Sequence, residues 1–237
     1  MSDHIVSSFD TELKGLAENL AEMGGLAEKM VGDSVSALLS RDGTLAQKVI
    51  AADKSVDQMQ QRIEELAILT IARRQPMAVD LRAIVAALRV SNDLERIGDL
   101  AKNTAKRVIA IEGEFKSPKL FGGLNHMSEL VLGQLKTVLD AYAERDNDRA
   151  VDVWRQDGEI DALYTSLFRE LLTYMMEDPR NIGFCTHLLF CAKNIERIGD
   201  HATNIAETVH FLVTGQMLAD DRPKQDNTST TTIEFPG

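Results

Sequence analysis

The sequence predicts an all-α chain made of two tandem three-helix bundles. Three observations predict it. Apolar residues recur at helical spacing over most of the chain. The period-2 alternation of β-branched residues that marks strands is nearly absent. One acidic motif is written twice, 101 residues apart, as Leu94-Glu95-Arg96-Ile97-Gly98-Asp99 and Ile195-Glu196-Arg197-Ile198-Gly199-Asp200.

The elements follow in order. Phe9, Leu13, Leu16, Leu20, Met23, Ala27 and Met30 alternate steps of four and three, which predicts a helix over 4–40. Arg41-Asp42-Gly43 makes the first turn. Leu45, Val49, Ala52, Val56, Met59, Ile63 and Leu66 repeat the pattern and predict a helix over 44–74. Gln75-Pro76 makes the next turn. A third helix is expected over 78–112, with Leu81, Val85, Leu88 and Asn92 leading in one line to Glu95 and Asp99. Glu112 to Pro118 breaks the chain. Helices over 119–146, 147–177 and 181–215 complete the set, and Pro179 stands where Pro76 stands in the first half. A sustained 4-3 seam implies helices packed at shallow angles. The units are therefore 1–114, the first repeat, and 115–216, the second. Residues 217–237 form a polar tail, expected to be disordered, around Asp226-Asn227-Thr228-Ser229-Thr230-Thr231-Thr232. Eleven of the twelve aromatic residues follow residue 114, so the second core should be the bulkier.

Composition narrows the class. The 237 residues suffice for one large core or two small ones, and the formal net charge of −11 argues against nucleic-acid binding. An acidic surface points to metal cations or to basic patches on protein partners. Cys185 and Cys191 match no CxxC spacing and read as reduced core residues of a cytoplasmic protein. The N-terminus has no basic and apolar leader, and no stretch is apolar enough to span a membrane. Membrane association is expected only peripherally, through partners.

The duplication acts as a control, since a feature kept in both halves is less readily an accident. Glu95 and Asp99 match Glu196 and Asp200. On the preceding helix, Asp53 and Asp57 match Asp157 and Asp161. Each pair is i,i+4, so both carboxylates leave one helix face. In an up-down-up bundle the two pairs of each half should meet at one height, about 20 residues either side of the Pro76 or Pro179 turn. Carboxylates 5–6 Å apart repel by roughly 3 kcal/mol at an effective dielectric near 20. Protonation, arginine or a metal cation would relieve that. An oxygen-only set suits iron, manganese, magnesium or calcium, and suits zinc less.

Three more residues repeat. Gly98 and Gly199 cost about 1 kcal/mol each against alanine in a helix, so something needs close approach there, a ligand or simply the neighbouring helix. Arg96 and Arg197 could neutralise the acids, and Asn103 and Asn204 could bond a site ligand. The bland alternatives are a solvated acidic face or an Arg–acid network that fixes helix register. Glu207 and His210 form the E-x-x-H element of ferritin-like bundles, but Lys106 and Ile109 stand at the matching places. His201 is matched by Leu100 and is expected at the surface or behind the site. His4, His126 and His187 read as structural. No phosphate loop, HExxH, G-x-S-x-G or GxGxxG occurs, and no nucleophile is paired with a base.

Two three-helix units, each with D-x-x-x-D on its second helix and E-R-I-G-D on its third, resemble the PhoU family of phosphate-specific transport system accessory proteins. Gln75-Pro76 through Asp80-Leu81-Arg82, and Glu196 through Glu207, carry the likeness further. The resemblance covers residues 1 to about 215. It implies a cytoplasmic, non-catalytic regulator that forms a homodimer. Such a regulator couples the ATPase subunit of the phosphate ABC importer to a two-component sensor histidine kinase, restrains uptake and represses the phosphate-starvation response. It also implies metal at Asp53, Asp57, Glu95, Asp99, Asp157, Asp161, Glu196 and Asp200. The segment Lys102-Asn103-Thr104-Ala105-Lys106-Arg107 departs from the family pattern and makes the rim of the first site more basic than that of the second. The rival readings are a ferritin-like metal-binding or metal-dependent protein unrelated to phosphate signalling, and a metal-free scaffold.

Overall fold

In the computed structural model, residues 2–111 and 118–218 are described, with side chains over 11–111 and 121–218. The expected connection at 112–117 and the polar tail from 219 on lie outside the described residues, and His4 lies outside those whose side chains are described. Seven α-helices form among the described residues: α1 (Ser2–Ser40), α2 (Gly43–Arg74), α3 (Val79–Ala110), α4 (Pro118–Glu144), α5 (Asn147–Arg155), α6 (Asp157–Glu177) and α7 (Ile182–Thr214). A 3-10 turn at Pro179–Asn181 precedes α7. The described residues contain no strand.

The turns show how closely the halves repeat. Arg41 takes φ 56°, and Asp42 then caps α2, its Oδ1 accepting from the Thr44 and Leu45 amides at 2.9 and 3.0 Å. Arg145 takes φ 55°, and Asp146 caps α5 by accepting from the Arg149 amide at 3.0 Å. At the far end of α2, Arg74 grips Glu12 of α1 through two hydrogen bonds of 3.0 and 2.8 Å.

One expected helix is two. The predicted helix over 147–177 stops at Arg155 and restarts at Asp157. Gln156 keeps a near-helical backbone (φ −84°, ψ −2°), but its amide bonds back three residues, to Val153. The Gln134 side chain of α4 donates to the Gln156 carbonyl at 3.4 Å. In the first half α2 runs unbroken through the matching place.

The two bundles share one core. In each half the long third helix lies against its own partners, α1 and α2 on α3, and α4, α5 and α6 on α7. α3 and α7 then pack on each other, as do α1 and α4. Met23, Met30, Ile63, Ile84, Leu94 and Ile97 of the first half join Leu124, Met127, Leu135 and Ile160 of the second in one buried cluster. Trp154 and Tyr164, both buried, enlarge the second half of it. Cys185 and Cys191 are buried free thiols, and burial pushes Cys191 up to about 12. No helix of the described residues is long and apolar enough to cross a membrane.

The expected seam of α3 is displaced. Leu81 is exposed, and Val85 and Leu88 are only half-buried. The buried line runs instead through Ile84, Ala87, Val90, Leu94, Ile97 and Ala101. Because α3 meets helices on several sides, its buried face is broad, and the Leu81 line is its flank. Glu95 and Asp99 therefore stand at the rim of the core, with side chains 17% and 30% exposed.

Candidate functional site

The acid pairs are set in place by the two glycines. A Cβ at Gly98 would lie 3.3 Å from Val56 Cγ1, and Val56 sits between Asp53 and Asp57. A Cβ at Gly199 would meet Ile160 between Asp157 and Asp161. The glycines thus let the second-helix and third-helix backbones close at the level of the carboxylates. Close helix packing accounts for them.

In the first half, Asp53 is buried, and the other three acids are half-buried. The Lys102 ammonium sits between two of them, donating to Asp53 Oδ2 at 2.6 Å and to Asp99 Oδ1 at 2.5 Å. Burial raises the pKa of Asp57, and Asp53 and Asp99 add to the effect while Lys102 opposes it. Burial likewise raises Glu95; Arg96 opposes this, and Asp99, Asp57 and Asp53 reinforce it. All four carboxylates therefore feel one another. Arg96 is exposed and lies 3.4 Å from Glu95 and 3.6 Å from Asp99, yet the buried Glu95 Oε2 has no hydrogen-bond partner.

In the second half, Asp157, Asp161 and Glu196 are buried and Asp200 is half-buried. Thr203 donates to Asp157 Oδ1 at 2.9 Å. Lys193 donates to Glu196 Oε1 at 2.7 Å. Glu196 is 4% exposed, and its Oε2 has no hydrogen-bond partner. Burial pushes Glu196 up to about 7; Asp200 and Asp161 push the same way, and Lys193 resists. Arg197 is exposed and makes no ion pair among the described residues. As the side chains are placed, no three His, Cys, Asp or Glu groups among the described residues stand together as a metal site.

The other repeated or singled-out residues go elsewhere. Asn103 is exposed, whereas Asn204 donates to Asp93 Oδ1 on α3 at 3.3 Å. His201 is not a surface residue; its Nδ1 lies 2.8 Å from the same Asp93 oxygen. Asp93, buried on α3, is the residue that sequence reasoning missed. Asn194, at the matching place in α7, donates to Thr104 Oγ1 at 3.2 Å. Arg89 lies over Phe211 at 4.9 Å and Arg107 over Phe190 at 4.0 Å. These pairs run in opposite senses along the two helices, so α3 and α7 are antiparallel. Glu207 accepts from the Trp154 indole at 3.2 Å, and His210 Nδ1 lies 2.8 Å from Asn147 Oδ1. The E-x-x-H residues thus tie α5 to α7. His187 faces Arg107 at 3.3 Å, and His126 is exposed.

The comparisons with known proteins follow the same division into halves. The PhoU domain matches the chain twice, over residues 20–108 and 124–209. The chain belongs to the PhoU domain family. It is 62% identical over 227 residues to the phosphate-specific transport system accessory protein PhoU homolog of Rhizobium meliloti (strain 1021), covering 96% of each chain. The homolog of Caulobacter vibrioides (strain NA1000 / CB15N) is 53% identical over 226 residues, covering 95% of this chain and 98% of the relative. The crystal structure of PhoU from Pseudomonas aeruginosa superposes with a TM-score of 0.85 at 43% identity, over 88% of this chain and all of that one. The PhoU fold therefore extends over both acid clusters of this chain.

Proposed function

We propose that this chain is a regulatory accessory protein of phosphate transport. It acts without catalysis, as an adaptor between the ATPase subunit of the phosphate ABC importer and a sensor histidine kinase. It restrains uptake and represses the phosphate-starvation response when phosphate is plentiful. The observation that carries this reading is the match along nearly the whole chain to phosphate-specific transport system accessory proteins. The fold supports it, because the two bundles share one buried core, and the chain's formal net charge of −11 suits basic patches on protein partners. On this reading the protein works in the cytoplasm as a homodimer and reaches the membrane only through its partners.

A pull-down with the importer's ATPase subunit and with the cytoplasmic part of the kinase tests the adaptor role. Retention of both is expected, and no association at either high or low phosphate overturns it. Deleting the gene should raise expression from a phosphate-starvation promoter in phosphate-rich medium. An unchanged promoter would remove the repressor role.

The acid clusters are the proposed cation sites, Asp53, Asp57, Glu95 and Asp99 in one half and Asp157, Asp161, Glu196 and Asp200 in the other. The buried Glu196 Oε2 without a hydrogen-bond partner supports this, as do oxygen-only donors suited to iron, manganese or magnesium; Glu95 Oε2 has only the exposed Arg96 at 3.4 Å beside it. The carboxylates would have to swing inward by rotamer change to close on an ion. A bound cation would neutralise them and hold the second and third helices of a half together. Elemental analysis of protein prepared without chelators tests it, and metal-free protein from metal-replete cells counts against it.

A further inference from the structure

We propose that Lys102 is a tethered cation that fills the first acid cluster and closes it to a metal ion. The inference rests on the reading of the clusters as cation sites. One ammonium reaches Asp53 of α2 at 2.6 Å and Asp99 of α3 at 2.5 Å. It links the two helices through a single centre of positive charge, which is what a divalent ion in that place would do. Its side chain is 20% exposed. A lysine ammonium donates only and is charged at physiological pH by its ordinary chemistry. A metal ion entering between Asp53 and Asp99 would have to expel a covalently attached competitor.

The duplication supplies the comparison. Thr203 stands where Lys102 stands in the first half, and it is a neutral hydroxyl bonded to Asp157 at 2.9 Å and to its own helix at Gly199 O, 3.2 Å. The second half draws its lysine from another place. Lys193 lies three residues before Glu196, reaches Glu196 Oε1 at 2.7 Å and stacks on the Tyr164 ring at 4.8 Å. The residue matching Lys193 in the first half is the exposed Asn92. The two ammonium groups are thus not copies of one ancestral lysine. The first spans Asp53 and Asp99, the acids a bridging ion would use. Each cluster keeps one buried glutamate oxygen without a hydrogen-bond partner, Glu95 Oε2 in the first and Glu196 Oε2 in the second, so the halves differ in where the lysine sits and not in that oxygen.

The test is Mn2+ binding to the full chain, followed by the loss of the free-ion electron paramagnetic resonance signal. Lys102→Thr is expected to bind one Mn2+ per chain more than wild type. The gain should vanish in Lys102→Thr/Asp53→Asn, and Lys102→Arg should show none. Thermal melts should show Lys102→Thr destabilised in EDTA and restored by Mn2+. No gain in Lys102→Thr overturns the proposal. So does a wild-type Mn2+ that Asp53→Asn or Asp99→Asn removes, a result that does not depend on Lys102→Thr folding. No Mn2+ on wild type, with a site appearing in Lys102→Thr, would overturn the wider metal reading and leave this one standing. Mn2+ on wild type that Glu196→Gln abolishes, with no gain in Lys102→Thr, would do the reverse.

Discussion

Gly199 runs against Ile160 so closely that a Cβ at residue 199 would stand 2.9 Å from the Ile160 Cδ1. Ile160 is 1% exposed, so it can give way only by disturbing the core. The matching contact in the first half, Gly98 with Val56, is looser at 3.3 Å.

Alanine at either glycine gains about 1 kcal/mol of helix propensity. Overpacking offsets this by about 1–3 kcal/mol where the neighbour cannot move. Gly98→Ala should be near neutral, and Gly199→Ala should lose about 1–2 kcal/mol net. Urea denaturation of both measures it. A Gly199→Ala protein as stable as Gly98→Ala would mean that helix closure at the second cluster is not tight.

Glu196 gives a pH dependence whose sign follows from burial. Its pKa is raised from 4.5 in the unfolded chain to about 7 in the folded one. Between those values the folded chain holds a proton that the unfolded chain has released, so stability falls as pH rises through the window. The full effect above pH 7 is at most about 3 kcal/mol. Glu196→Gln in EDTA should therefore flatten the fall in Tm between pH 5 and pH 8 and melt higher than wild type at pH 8. Parallel Tm profiles for the two proteins would rule out this assignment.

Asp93 should matter more than its single occurrence suggests. It accepts from Asn204 and faces His201, both on α7, across the junction of the halves. Asp93→Ala leaves those two groups without their partner and should cost about 2–3 kcal/mol. Replacing the exposed Asn103 by alanine should cost less than about 0.5 kcal/mol. Chemical denaturation of the two variants checks the contrast, and equal losses would remove Asp93 from its bridging role.

Trp154, the chain's only tryptophan, lies on α5 and so reports on the second half alone. Far-UV circular dichroism reports on every helix. Because one buried cluster runs through both halves, the two signals should trace a single coincident urea transition. A fluorescence midpoint separated from the dichroism midpoint would mean that the bundles unfold independently. Glu207→Ala, which removes the indole's acceptor, should shift the native emission.

Local pattern made much of this fold legible. The 4-3 spacing placed α1, α2 and α3, the breaks around Pro118 and Pro179 marked off α4 and α7, and the doubled motif picked out acids on neighbouring helices, though no three of them stand together as a metal site among the described residues. The break at Gln156 was hidden, because the apolar period continues through it and the group that meets its carbonyl, Gln134, is 22 residues away. A signal was present in the turn before α5, where Arg145-Asp146 repeats Arg41-Asp42 and marks the start of the second-half counterpart of α2. Asp93 was invisible to a search for repeated features, since its counterpart is Asn194. The flank of α3 reads as a seam because period alone does not say how many neighbours a helix has. The pairing of α3 with α7 is tertiary and leaves no trace in local spacing.

The contacts between α3 and α7 are nearly reciprocal, Asp93 with Asn204 answered by Thr104 with Asn194. Two identical chains meeting about an axis would make the same kind of self-complementary junction. In such an assembly every substitution lands on both sides at once, and a lysine useful in one copy would burden the other. Joining the copies in one polypeptide lifts that constraint. Lysine at 102 opposite threonine at 203, and an unbroken α2 opposite an interrupted α5–α6, are differences that a symmetric pair could never hold.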